Sequence, residues 1–260
     1  MVEPLNNTIR SQLTRVTRES LNEKVAAQIK ALILSKGIRR GWKLPPEREL
    51  TSLFGVSRAV VREALKSLEQ SGLLEIRTGA SGGAFIVNNQ YIPLFQVSYD
   101  LFSSGELTLS HFYEARMSIE CGIVRLAALK ATDQDLERLD EINRRLMSEQ
   151  TEPSEQGENN NSFHIALAKI AGNPLMLLIV ESLMRLLTTV FTGWDQIRTR
   201  DAMLDMYKRH KAIIDAIRSR DASLCEERMA VDVDYTRNLA VSSANAKPHA
   251  FGWINPDSVG

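Results

Sequence analysis

Between Leu44 and Val87 the chain reads LPPERELTSLFGVSRAVVREALKSLEQSGLLEIRTGASGGAFIV, and the order of signals in this segment leaves few folds open. Pro45 and Pro46 stiffen its entry, and Pro46 suits a first helical turn, where a missing N–H costs nothing. Glu47 and Glu49 lie near the positive end of the helix that follows, and Leu50, Leu53 and Phe54 give it an apolar stripe. Gly55 closes that helix and Ser57 is a good N-cap for the next. In the second helix Val61, Ala64, Leu65 and Leu68 share one side, while Arg58, Arg62 and Lys66 recur every four residues on another. Two helices joined by a turn of about three or four residues, the second presenting arginines, match the helix-turn-helix that sets its second helix in the DNA major groove.

A hairpin follows. Leu73–Arg77 reads as one strand and Ala84–Val87 as its partner, with Thr78-Gly79-Ala80-Ser81-Gly82-Gly83 supplying the glycines of a tight turn. Trp42 and Leu44 suggest a short third strand beside it. A glycine-rich turn can bring backbone N–H groups close to a phosphate or reach into a minor groove. Regularly spaced surface cations are by themselves more often a solvated helix face. What argues for a winged helix-turn-helix is the sequence of cap, turn, basic helix and wing.

The string from LPPEREL through GVSRAVVREAL to LEQSGLLEIRTGASGGAF, within about Ser20 to Val87, resembles the DNA-binding domain of the GntR family of bacterial transcription regulators. Carried over position by position, the resemblance implies DNA contacts from Arg48, Ser57, Arg58, Arg62 and Gly79. Ala59 and Val60 follow Arg58; such side chains meet a thymine methyl and donate no hydrogen bond.

Charge supports a division of the chain. Met1–Gln90 holds 14 Lys and Arg against 8 Asp and Glu, a net +6, and the remainder holds 18 against 24, a net −6. A chain of 260 residues is long enough for two domains with separate cores. No apolar run approaches the ~20 residues of a membrane span, and MVEPLNNTIRSQLTR lacks the apolar core of a secretory signal. The two cysteines, Cys121 and Cys225, read as buried thiols. A cytoplasmic protein is expected. The expected fold is mainly α: a flexible arm over 1–18, the winged helix-turn-helix over 19–90, an all-helical bundle over 91–241 and a tail over 242–260.

Val87–Pro93 reads as the linker. Beyond it strand signals vanish, and helical periods run over Leu109–Leu129, Asp133–Gln150, Asn160–Ala171, Pro174–Thr192, Asp201–Arg218 and Ala222–Ala240. Thr132 is an N-cap candidate, Gly172-Asn173-Pro174 ends one helix and starts another, and polar Thr151–Asn161 reads as a loop. The strings FYEARMSIECGIVRLAA, SFHIALAKIAGNPLM, KRHKAIIDAI and MAVDVD resemble the FCD effector domain of the FadR-type subgroup, over about Leu101 to Leu239. The resemblance implies a bundle around a pocket for a small carboxylic acid, often beside a metal ion.

Arg116 lies in an otherwise apolar stretch of helix, and a buried guanidinium needs an anion. Two partners suit it: a ligand carboxylate, or Glu120 one turn on. The family's metal ligands are typically Asp, His, His and His. Their positions fall here on Asn160, His164, His210 and Asp232, so this chain puts Asn for Asp and Asp for His. Two imidazoles, one carboxylate and an amide oxygen still suit a divalent cation such as Zn, Ni or Mn. The other reading of the pair is that His164 and His210 hydrogen-bond the ligand directly. Asp234, two residues from Asp232, falls on another helix face, and His111 matches no ligand position.

Three functions are open to such a chain. A ligand-responsive DNA-binding regulator accounts for both halves: a homodimer on a palindromic operator, with repression relieved by the acid. A metal-dependent hydrolase lacks a nucleophile or general-base motif. An architectural DNA-binding protein leaves the polar residues inside the helical half without a purpose. The sequence favours the regulator and no enzymatic activity.

Overall fold

The computed structural model describes residues 20–35, 40–79, 81–87, 89–147, 153–190 and 200–246, with backbone alone for 153–159 and 242–246. The arm over 1–18 and most of the tail over 242–260 lie outside the described residues. The chain divides into two compact units between Gln90 and Tyr91.

The N-terminal unit holds α1 (Leu21–Leu34), α2 (Glu47–Phe54), α3 (Arg58–Gln70), β1 (Leu74–Arg77) and β2 (Gly83–Ile86). Ser20 and Glu23 close a capping box on α1. Pro46 is the N-cap of α2, one position earlier than a first-turn proline. Gly55 ends α2 in the left-handed conformation at φ 64°, which any side chain would strain. Val25 and Ile29 of α1, Leu50 of α2, Val61, Ala64, Leu65 and Leu68 of α3, and Leu74, Ala84 and Ile86 of the hairpin fill one core. The antiparallel strands pair Leu74 with Ile86 and Arg77 with Gly83; the first starts one residue later than expected and the second lies one residue earlier. The expected third strand is a single bridge, Lys43 to Phe85, held by Leu44 N–H to Ala84 O and Ile86 N–H to Trp42 O, both at 2.8 Å. Gly72, at φ 71°, lies so close to Asn89 that a Cβ there would stand 2.1 Å from its carbonyl oxygen.

The C-terminal unit is helical: α4 (Tyr91–Ser103), α5 (Leu109–Lys130), α6 (Asp133–Arg145), α7 (Pro153–Ala171), α8 (Pro174–Val190), α9 (Arg200–Arg218) and α10 (Ala222–Ala246). α5 packs against α10, α7 and α9, and α6 against α7 and α9. Caps mark several ends: Thr132 with Asp135 on α6, and Thr108 with His111 on α5, which gives His111 a structural task. Asn173 Oδ1 accepts from Leu175 N–H at 3.0 Å at the start of α8.

Four expectations are corrected. The chain is helical from Pro153, where a loop was expected over Thr151–Asn161. Proline starts a helix readily and Glu and Gln propagate one, so polarity there did not by itself mark a loop. α6 stops at Arg145 instead of running to Gln150. α10 continues to Ala246, past the expected end at Ala240. Tyr91–Ser103 is a helix, although 87–93 reads as linker and no helical period was assigned before Leu109. Its Pro93 sits in the first turn, and it packs on α8 without burying any residue fully, so no single apolar stripe announces it.

Candidate functional site

The N-terminal unit carries the five expected DNA-contact residues on three elements: Arg48 on α2, Ser57, Arg58 and Arg62 at the start of α3, and Gly79 in the wing. All five are exposed. Ser57 caps α3 by accepting from Val60 N–H at 3.4 Å, which leaves its hydroxyl proton free to donate outward. Arg62 Nε pairs with Glu47 at 2.8 Å, with the two side chains 67% and 39% exposed. A pair so wet is worth roughly 0–1 kcal/mol and gives way readily to a phosphate. The wing adds two cations that motif spacing did not single out. Arg77 stacks over the Phe85 ring at 4.5 Å, and Lys43 lies 5.5 Å from the same ring.

The C-terminal unit buries its polar residues. Arg116, Glu120, Asn143, Asn160, His164, His210, Asp232 and Thr236 are all at most 2% exposed. Five helices supply them: α5 gives Arg116 and Glu120, α6 gives Asn143, α7 gives Asn160 and His164, α9 gives His210, and α10 gives Asp232 and Thr236. The turn between α9 and α10 sets the last register. Arg220 takes a left-handed φ of 60° there, and its guanidinium donates to Ala128 O and Ala131 O at the end of α5.

The internal partner foreseen for Arg116 is present. Arg116 Nε donates to Glu120, Nη1 donates to Thr236 Oγ1 at 2.9 Å, and Nη2 lies 3.0 Å from His164 Nε2. Burial works to lower the Arg116 pKa, but Glu120, with help from Tyr113 and Asp232, raises it overall. Burial likewise works to raise the Glu120 pKa, and the Arg116 charge and the His164 ring overcome it, bringing the carboxyl down to about 2.

These partners settle both histidine tautomers. Glu120 is ionised and only accepts, so His164 Nδ1 donates to it, and Nε2 carries the lone pair that accepts from Arg116. Asn143 Nδ2 donates to Tyr207 O at 3.0 Å, which turns Asn143 Oδ1 toward His210 Nδ1 at 3.2 Å. His210 Nδ1 is then the donor, and its Nε2 holds a lone pair. Burial, with the Arg116 charge nearby, keeps the His210 pKa well below 6.5, so the ring is neutral. Phe163 stacks flat on it at 3.9 Å. Fixing one ring nitrogen so that the other faces a site is what orients a metal-ligating histidine. Asn143 stands in the stripe of Leu136, Leu139 and Leu146, a polar residue at an apolar position, and that was a legible signal.

The two Nε2 atoms converge on Asp232. Its Oδ2 is 3.6 Å from His164 Nε2 and its Oδ1 is 3.8 Å from His210 Nε2. Among the described residues these three side chains form a group whose ligand atoms all lie within 4.8 Å of one another. His210 Nε2, both Asp232 oxygens and both amide atoms of Asn160, one turn before His164, are buried without a hydrogen-bond partner. Burial pushes the Asp232 pKa up, although the Arg116 charge counters it. Each orphaned buried polar atom costs about 1–3 kcal/mol. A tetrahedral cation with bonds of about 2.0–2.2 Å sets its ligand atoms roughly 3.3 Å apart, so the group would close by up to roughly 1.5 Å to hold one. The residues therefore fit a divalent cation. Asp234 turns away to pair with Arg237 at 3.2 Å.

Comparison with known proteins agrees with this division. Residues 21–86 match the model of the bacterial regulatory proteins of the gntR family, and residues 111–234 match the FCD domain. The HTH-type transcriptional repressor NanR of Escherichia coli K12 is 31% identical over 248 residues, covering 91% of this chain and 88% of that protein. The protein of the same name from Cronobacter sakazakii is 33% identical over 211 residues, covering 79% of this chain and 80% of that one. A solved structure titled Streptococcus agalactiae GntR superposes with a TM-score of 0.62 at 25% identity, covering 84% of this chain and 99% of that one. These relatives are regulators, which removes the hydrolase reading, and an FCD domain on the helix-turn-helix removes the architectural one. The chain belongs to the GntR family of DNA-binding transcription regulators, in the subgroup that carries an FCD effector domain.

Proposed function

We propose that the protein is a cytoplasmic repressor that leaves its operator when a small carboxylic acid enters the helical unit. The supporting observation is the set of orphaned polar atoms around Asp232, buried in the effector unit of a DNA-binding chain. Asn160, His164, His210 and Asp232 hold one divalent cation, which lends positive charge to an acid bound beside it. Arg116 is the carboxylate partner. Arg48, Ser57, Arg58, Arg62 and the Gly79 backbone meet the DNA. Repression matches the names of the relatives. Two copies joined by symmetry read the two halves of a palindrome, and a coupling of about 1–3 kcal/mol between acid and DNA is enough to change occupancy roughly 5- to 150-fold.

Protein purified without chelator is expected to carry about one Zn, Ni or Mn per chain by elemental analysis, less in His164→Ala and His210→Ala. A wild type that stays metal-free after incubation with all three leaves a bare hydrogen-bonding pocket. Operator binding followed by fluorescence anisotropy tests the rest: release by one member of a panel of small acids is expected, and release by none removes the effector. Analytical ultracentrifugation of the full chain is expected to give a dimer, and a monomer at micromolar concentration rules out symmetric half-site binding.

A further inference from the structure

His164 has one lone pair to give. Its Nδ1 is committed to Glu120, and Arg116 Nη2 already takes the lone pair on Nε2 at 3.0 Å. Asp232 Oδ2 stands 3.6 Å from that same nitrogen. A cation shared by His164 and Asp232, with bonds of about 2.0–2.2 Å, needs the lone pair that the guanidinium now covers. The two cannot be satisfied together.

We propose that Arg116 is the built-in competitor of the cation, and that cation binding releases its Nη2 to take a single carboxylate. The proposal rests on the cation reading above and adds an order to it: cation first, acid second. Glu120 makes the exchange feasible, because it holds both Arg116 Nε and His164 Nδ1. Either side chain can shift away from the other while keeping a contact to that carboxylate. Charge gives the class of acid. With the cation in place, the buried cluster contains one guanidinium, the Glu120 and Asp232 carboxylates, and a divalent ion, which leaves one positive charge over. A buried unmatched charge is costly, and one ligand carboxylate cancels it. A monocarboxylate fits this count, and a dicarboxylate overshoots it. By linkage each ligand strengthens the other.

Zinc titrated calorimetrically into the chelator-stripped full chain tests this. Arg116→Met/Glu120→Gln removes one charge of each sign, so the net charge is kept, and the glutamine oxygen still accepts from His164. This variant is expected to bind zinc roughly tenfold or more tightly than wild type, because a charged hydrogen bond no longer has to be broken. Arg116→Lys keeps the charge on a single ammonium that cannot span Glu120 and His164 together; it too is expected to bind zinc more tightly, and it decides the matter if the paired variant does not fold. Zinc bound by wild type and bound equally or more weakly by the variants overturns the competition and leaves the cation site standing. Zinc bound by none of the three chains removes the cation site itself. Acetate is the probe acid: wild-type affinity for free zinc is expected to rise in its presence, and no rise overturns the second step.

Discussion

Arg58 stands in solvent on α3, whereas Arg116 is wholly buried on α5. An arginine in water keeps its hydration and waits for a partner outside the chain. One in the core has no water, so the fold must bring its partners: Glu120 on the same helix, Thr236 from α10 and His164 from α7. The N-terminal unit is thereby free to change its surface without disturbing its core. In the C-terminal unit the groups that would recognise a ligand are also groups that hold the unit together, so binding there acts directly on how the helices pack.

The sharpest test of that contrast is to break one ion pair in each unit. Glu120→Ala leaves a guanidinium buried without its anion and is expected to cost about 3–5 kcal/mol in urea unfolding. Glu47→Ala breaks the exposed pair with Arg62 and is expected to cost at most about 1 kcal/mol. Equal costs would collapse the distinction.

Acid gives the next largest effect. The Glu120 carboxyl titrates at about 2 in the folded chain, below its ordinary 4.5. A depressed carboxyl contributes stability above its unfolded value that is lost as pH falls through its folded one, of order 3 kcal/mol between those limits. Unfolding free energy of the cation-free chain, measured between pH 4.5 and pH 2, is expected to fall more steeply for wild type than for Glu120→Gln. Parallel curves would show that Glu120 is not the ionised partner.

Smaller effects belong to the surface. Arg58→Ala is expected to weaken operator binding by about 1–3 kcal/mol if it reads a guanine, with an unchanged melting temperature; wild-type binding by Arg58→Ala/Arg62→Ala would remove α3 as the recognition helix. Ser57→Ala deletes the cap of α3 and is expected to lower stability by roughly 1 kcal/mol. A thermal melt that does not move would mean that the 3.4 Å contact to Val60 N–H contributes nothing.

How much of this was readable from the sequence depended on the range of the forces involved. Caps, turns and helix faces are set within a few residues, so Ser57, Gly55, Thr132 and the strand-turn-strand of the wing were legible at once. So were the i,i+4 pairing of Arg116 with Glu120 and the placing of Asn160 and His164 on one helix face. Helix ends were less legible where polarity was mistaken for a loop before Asn160, or where α4 spread its apolar residues too widely to show one face. The sequence by itself determined which residues are caps, which are cations and which share a helix side, because helical geometry fixes those relations locally. Only the tertiary structure decided that Arg116 meets Thr236, 120 residues away, that Asn143 sets the tautomer of His210 from another helix, and that Asp232 is left between two imidazoles with neither oxygen hydrogen-bonded. Those pairings arise when α5, α6, α7, α9 and α10 close on one another and exclude water, which turns each buried polar atom into a demand that only a distant part of the chain, or a bound ion, can meet.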